Sequence, residues 1–149
     1  MFNPLSMLEY LAIPYTHKEQ KVMDERFALV NAVAAYLTRE GRIVYSPISH
    51  SHPWVEYGVP REHEFWKNHN LQFLSICKNL IIVTAKGWRQ SLGVQFEIAT
   101  AKNLKISIEY FNPYDESKNL GKVACYRPDQ LVGRMSSELS SNKKAPIRG

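Results

Sequence analysis

Several short segments carry side chains whose types and spacing could do chemistry. The most informative runs Trp88-Arg89-Gln90-Ser91-Leu92-Gly93-Val94-Gln95-Phe96-Glu97. Ser91 reads as a helix N-cap, its hydroxyl accepting from a backbone N–H one turn on. Gly93 leaves the backbone open in the first turn, and a helix N-terminus with a serine hydroxyl and a glycine is a ready phosphate site, although most serine caps bind nothing. Glu97 lies three residues after Val94 and four after Gly93, on the border of the apolar stripe Val94, Ile98 and Ala101. A partly desolvated carboxylate there could serve as nucleophile or general base. A solvent-facing Glu favoured by the helix dipole is the plainer alternative. His50 and His52 have a metal-ligand spacing. No second segment offers a third ligand, so no metal is expected; one imidazole is expected to pack in its loop and the other to face a crevice. Trp88 sits in a strand-end loop beside Ser91. Asn70 falls in line with Trp66 and Phe73, where a polar residue is usually a satisfied core amide but could reach a crevice.

The elements that must position these residues follow from periodicity. Residues 8–13, 42–46, 80–84 and 105–111 read as strands, and 18–40, 61–75 and 91–103 as helices. On the first helix, Val22, Phe27, Val30, Ala34 and Leu37 make the expected apolar face. A His-, Ser- and Pro-rich loop is expected over 47–60. A short edge strand over Lys122–Tyr126 and a final helix over Asp129–Ser140 are weaker expectations. The β-α-β-α-β-α-β order predicts a single doubly wound α/β domain, with a mostly parallel sheet of four to five strands and helices on both faces. Its expected extent is 1–127, with 128–149 a C-terminal helix and basic tail. In such folds the ligand crevice lies at the carboxyl ends of the strands. That rule points to the segments 12–17, 46–52 and 85–93, where the chemically unusual residues cluster.

Composition narrows the function classes. The 149 residues are 44% hydrophobic and 22% charged, ordinary for a globular chain of one domain. Two cysteines, Cys77 and Cys125, and no CxxC make a disulfide framework or cysteine zinc site unlikely, and fit a reducing, cytoplasmic setting. No apolar run approaches a membrane span, and no signal peptide is read at the N-terminus. The net charge of +5 is uneven: residues 1–110 carry 12 basic and 10 acidic side chains, and 111–149 carry 7 and 4. A basic tail can attract polyanions, but the near-neutral remainder shows no DNA-binding pattern, so nucleic acid is an unlikely partner. The absence of GxGxxG, GxxxxGK(S/T) and GxSxG argues against dinucleotide dehydrogenases, P-loop NTPases and α/β-hydrolases.

Taken together, the segments resemble the nucleoside 2-deoxyribosyltransferase superfamily, most closely its DUF1937-type branch of bacteria and phages. The resemblance rests on Tyr10-Leu11-Ala12-x-Pro14-Tyr15, on Ser46-Pro47-Ile48-x-His50-Ser51-His52-Pro53 and on Glu64-Phe65-Trp66. It continues through Gly87-Trp88-x-x-Ser91-x-Gly93-Val94-x-x-Glu97, and covers roughly residues 8–112. It implies cleavage of an N-glycosidic bond, with Glu97 attacking the anomeric carbon and a base (transferase) or water (hydrolase) resolving the glycosyl intermediate, in the manner of retaining glycosidases. The Ser-Leu-Gly-Val-x-x-Glu string is similar to nucleoside 5′-monophosphate N-glycosidases. An acidic residue at position 91, usual in enzymes of free nucleosides, would repel a 5′-phosphate that serine and helix amides would welcome.

The resemblance implies catalytic roles for Glu97, Tyr15 and Asn70. It implies substrate contacts at Ala12, Pro14, Ser46, His50, His52, Trp88, Ser91 and Gly93, with no metal or organic cofactor. It also implies a small-molecule nucleotide as ligand and a homo-oligomer. Asn70 and Asn79 stand where the superfamily commonly has aspartates, and an amide cannot supply a proton. The alternative function is therefore a binding module that holds a nucleotide or NAD-derived ligand in the same crevice without cleaving it.

Overall fold

Two apolar strands with both faces covered organise the molecule. In a computed structural model, which describes residues 6–120, β1 (Leu8–Ala12) and β3 (Asn79–Val83) lie side by side at the centre of a four-stranded sheet. β2 (Ile43–Tyr45) flanks β1 and β4 (Ser107–Phe111) flanks β3, giving the order β2-β1-β3-β4 with every pairing parallel. Successive side chains point to opposite faces, so each central strand feeds two cores. Leu11, Ile81 and Val83 pack under α1 (Gln20–Arg39) through Val30, Val33 and Leu37. Tyr10, Ala12, Leu80 and Ile82 pack on the other face. There they meet Leu74 of α3 (His63–Ser75) and Val94, Ile98 and Ala101 of α4 (Leu92–Asn103). The chain thus has the α/β fold of the doubly wound type, with helices on both faces. No helix of the described residues is long and apolar enough to cross a membrane.

Element boundaries shift from the sequence reading by one to two residues at most ends, and the chain over 47–60 departs from it in kind. It is not a loop. A short helix α2 (Pro47–Ser51) starts there, followed by a 3₁₀ turn over His52–Tyr57. Pro47 occupies the first helical position, where its missing N–H costs nothing, and the Ser46 hydroxyl accepts from Ser49 N at 3.3 Å. Gly58, at φ +85°, ends the turn. On α1 the buried set is Met23, Val30, Ala32, Val33 and Leu37, so the apolar face is rotated from the one expected through Val22 and Phe27. The expected strand at Lys122–Tyr126, the helix at Asp129–Ser140 and the tail lie outside the described residues.

The amino ends of the strands are closed by a polar network. Arg42, just before β2, donates to both carboxylate oxygens of the buried Glu9, at 2.8 and 2.7 Å, and to Glu109. Asn79 Nδ2 donates to Glu9 at 3.1 Å and to Glu109 at 3.2 Å. Asn79 therefore serves this network at the opposite end of the sheet from the expected crevice, and substitutes for no acid there. Hydrogen bonds from Arg42 hold both carboxyls below their ordinary value of 4.5. A carboxyl depressed by folding stabilises above its ordinary range and loses that contribution on acidification. Arg42→Ala should thus destabilise the fold by about 1–3 kcal/mol at neutral pH, by leaving a buried charge without its partner. Urea unfolding across pH should show the gap from wild type closing as pH falls through the carboxylate range.

Candidate functional site

Strand order reverses between β1 and β3, so the loops leaving their carboxyl ends diverge and open a crevice. Arg26 of α1 pins these two loops together. Its guanidinium donates to the carbonyls of Tyr15 (3.1 Å) and Thr16 (3.3 Å) on one side, and of Lys86 (3.2 Å) on the other. Gly87 lets the arginine approach. Its φ of +90° suits no L side chain well, and a Cβ there would stand 3.0 Å from Arg26 Nη2.

The chain then enters α4 through Ser91. The Ser91 hydroxyl accepts from Val94 N at 3.3 Å, as the cap reading expects. The amides of Leu92 and Gly93 have no acceptor among the described residues. Glu97 sits less than two turns along, held inward by the stripe Val94, Ile98 and Ala101. It is only 7% exposed. Its Oε2 is buried without a hydrogen-bond partner, as is the hydroxyl of Tyr10 on β1. Burial pushes the Glu97 carboxyl up to about 8, with the nearby Tyr10 phenol pulling the other way. An unpartnered buried carboxyl keeps its proton in this way because a naked charge in apolar surroundings is far more costly.

Glu97 lines a cavity of about 50 Å³ together with Tyr15, Arg61, His63, Asn70 and Ser91, walled by Ile48, Val55 and Trp66. The structure brings together the three residues expected to be catalytic, with the expected phosphate-binding serine beside them. Gly93 belongs here too: a Cβ on it would lie 3.6 Å from His63 Nδ1 and 3.7 Å from Glu97 Oε1. A wider crevice of about 690 Å³ adjoins. Pro14, Thr16, His17, Arg26, Lys86, Gly87 and Tyr114 are among its lining, and it shares Thr16 and Ser91 with the inner cavity. A space of 50 Å³ holds a few waters, at roughly 10–15 Å³ for the first. A nucleoside-sized ligand therefore needs one wall to move. Two walls lack regular structure, residues 13–19 and 58–62. Arg26 ties the first to its neighbours, and the second carries Arg61 and is latched by the Trp66 indole donating to Pro60 O at 2.6 Å.

The other expected contact residues are placed elsewhere. Ala12 is sheet core, and Ser46 is spent on capping α2. His50 is exposed, its ring 4.4 Å from Trp54 and 6.0 Å from His69. Trp88 packs on Tyr110 at 5.5 Å between ring centres. His52 lines neither space but binds Tyr15, whose hydroxyl is 2.7 Å from His52 Nδ1. The described residues contain no group of three or more His, Cys, Asp or Glu that could hold a metal. Arg61 and His63 were not anticipated. Their signal was available, since basic side chains flank the start of α3 where the helix dipole favours acids.

A family model for a domain of unknown function, DUF1937, matches residues 8–112. The chain belongs to this family. The match begins at β1, ends just past β4 and includes every residue that lines the inner cavity, so the DUF1937 domain and the candidate site coincide. No curated protein matches the chain.

Glu97 makes this DUF1937 domain sensitive to pH in a direction that can be worked out. Between its ordinary value of 4.5 and about 8, the folded chain holds a proton that the unfolded chain has released. Stability should therefore fall as pH rises through that window, by at most about 1.4 kcal/mol per pH unit from this one group. Glu97→Gln should remove this component and should be more stable than wild type at about pH 9. Chemical denaturation of both proteins across the window reads the difference, and parallel profiles would contradict the burial assigned to Glu97.

Proposed function

We propose that the protein is a nucleotide N-glycosidase, cleaving the base–sugar bond of a (deoxy)nucleoside 5′-monophosphate with Glu97 as nucleophile. The observation that carries this reading is the buried Glu97 carboxyl, its Oε2 without a hydrogen-bond partner among the described residues, in a cavity shared with Tyr15 and Asn70. The cap of its own helix is also turned to that cavity. Three donors for a phosphate gather at the cap: the Ser91 hydroxyl, which can accept from Val94 and still donate outward, and the Leu92 and Gly93 amides. Arg61 is a fourth, and has no ion-pair partner among the described residues.

In this mechanism the ionised Glu97 attacks C1′ and the C1′–N bond breaks. The bonding electrons leave with the base, which takes a proton from His63 or from water. Water, or a second base, then attacks the glycosyl ester and releases Glu97. Asn70 orients the sugar by hydrogen bonding and supplies no proton. Nucleophilic attack needs the carboxylate, so kcat/KM should rise with pH along a limb near 8, the value to which burial lifts Glu97. The reading also carries the expectations of a cytoplasmic homo-oligomer.

A second reading is a binding module of the same crevice. It is favoured by Glu97 being protonated at neutral pH and by an amide at position 70. One experiment separates the two. A panel of nucleoside 5′-monophosphates is incubated with the protein and free base is measured by chromatography. The glycosidase reading expects base release that falls by about a thousandfold or more in Glu97→Ala. It also expects Ser91→Asp to raise KM for monophosphates by about tenfold or more while sparing free nucleosides. Ligand binding by calorimetry with no base released by either protein establishes the module instead.

A further inference from the structure

Tyr15 does not reach the Glu97 cavity as a free phenol. Its hydroxyl lies 2.7 Å from Nδ1 of His52, and the imidazole is clamped on its other sides. The ring stacks on Phe27 of α1, 4.2 Å between centres and 20° from parallel. Its Nε2 faces the Asp24 carboxylate, also on α1, at 3.4 Å. Asp24 is itself held by Gln20, whose side-chain amide donates to Oδ1 at 2.8 Å. The result is a chain of three polar groups, Asp24, His52 and Tyr15, running from the surface of α1 to the cavity wall.

The charge facing the ring sets the direction of its hydrogen bond to Tyr15. A carboxylate only accepts, and its negative charge 3.4 Å from Nε2 favours a proton on that edge, so His52 takes the Nε2–H tautomer. Its Nδ1 then offers a lone pair, and the phenol must donate to it. Burial lowers the His52 pKa and favours the neutral ring; Asp24 and the nearby Glu56 oppose this, and Arg61 adds to it. With its proton committed to His52, Tyr15 can only accept on its cavity side.

We infer that Asp24 and His52 are positioning residues that fix the Tyr15 oxygen as a hydrogen-bond acceptor facing the Glu97 cavity. The inference rests on the glycosidase reading for its consequence. As the base departs, positive charge develops at C1′ and the ring oxygen of the sugar, and an electron-rich phenol oxygen beside that position stabilises it. An acceptor fixed before the reaction acts on the transition state more than on the bound ground state, so it should appear in kcat rather than KM.

Asp24→Leu tests the polarity at similar volume. It removes the acceptor that faces Nε2, so nothing holds the imidazole proton there and the Tyr15 proton is free to turn into the cavity. Asp24→Asn is no substitute, because Gln20 donates to the same Oδ1 that faces Nε2 and would keep an amide oxygen in that place. Long-range ¹H–¹⁵N spectra of the ligand-free protein should show His52 protonated at Nε2 in wild type and a mixture of both tautomers in Asp24→Leu. In base-release assays, Asp24→Leu should lower kcat about tenfold with KM nearly unchanged. In a Tyr15→Phe background it should cost nothing further. A wild-type His52 protonated at Nδ1, or a tautomer that Asp24→Leu leaves alone, overturns the relay. An Asp24→Leu loss that persists in Tyr15→Phe overturns the role given to Tyr15. The spectra need no substrate, so they decide the relay even where wild type releases no base, a result that counts against the glycosidase reading alone.

Discussion

The structure turns on a carboxyl group buried where the fold gains nothing from it. Glu97 occupies a position on α4 between Val94, Ile98 and Ala101, all packed against the sheet. An apolar side chain of similar volume would fill that position without the desolvation that lifts the carboxyl to about 8. Little compensates it: among the described residues no cation is paired with it and Oε2 has no hydrogen-bond partner, so only the nearby Tyr10 phenol favours the charged form. The network at the other end of the sheet is the useful contrast. Glu9 is just as buried, at 6% exposed, yet Arg42 and Asn79 bond to it and depress its pKa. One acid is therefore built into the scaffold, while the other is held at a loss beside a cavity. A group kept at a stability cost is the pattern expected of a functional residue.

The parallel sheet explains why those two acids sit at opposite ends. Amino ends of parallel strands face helix C-termini, and here they are sealed by ion pairs. Carboxyl ends face helix N-termini with unsatisfied amides, and their connecting loops diverge where the strand order reverses. Arg26 converts that divergence into a rigid edge by bonding three carbonyls across it, so the loops that carry Tyr15 and Gly87 keep a fixed separation. Ser91 then starts α4 at the rim. Its cap, its two free amides and Glu97 are consequently fixed to one another through a single helix, which is a more exact arrangement than loops alone would supply.

Much of this was legible in the residues. The apolar runs at 8–13 and 80–84 identify the two central strands because parallel strands covered on both faces lose their alternation. The order of elements then locates the crevice before any motif is considered. The Ser91 cap and the place of Glu97 at the border of the apolar stripe follow from helix periodicity, since a cap and a stripe are local properties. Periodicity left a solvent-facing Glu97 as the plainer reading, however, and its site role came from the family resemblance. The remainder was hidden for a physical reason: it depends on contacts between distant segments. Asp24 belongs to α1 and His52 to a 3₁₀ turn, and nothing local marks them as partners of Tyr15. Asn79 looked like a lost catalytic acid until its place at the amino end of β3 joined it to Arg42. The chain over 47–57 read as a loop from its proline, serine and histidine content, although Ser46-Pro47 is also a helix-start signal. Trp88 was drawn to the crevice by its neighbours in sequence, whereas its ring is claimed by Tyr110 on β4.

On the glycosidase reading, the two halves of the site make opposite electrostatic demands, and their geometry reconciles them. A carboxyl must lose its proton to attack carbon, yet a phosphate nearby makes that loss harder, because like charges raise each other's pKa. Cationic and dipolar groups must therefore sit between or beside them. The amides at the α4 N-terminus carry partial positive charge and Arg61 a full one, and Ser91 and Arg61 line the same cavity as Glu97. A phosphate received there would be neutralised locally. Its arrival would also draw Arg61 toward the cap. The wall over 58–62 that closes the inner cavity is the same segment that supplies this arginine. On the glycosidase reading, this segment would swing outward to admit the nucleotide and back to bring Arg61 to its phosphate, so the closed cavity and the protonated carboxyl belong to the same ligand-free state.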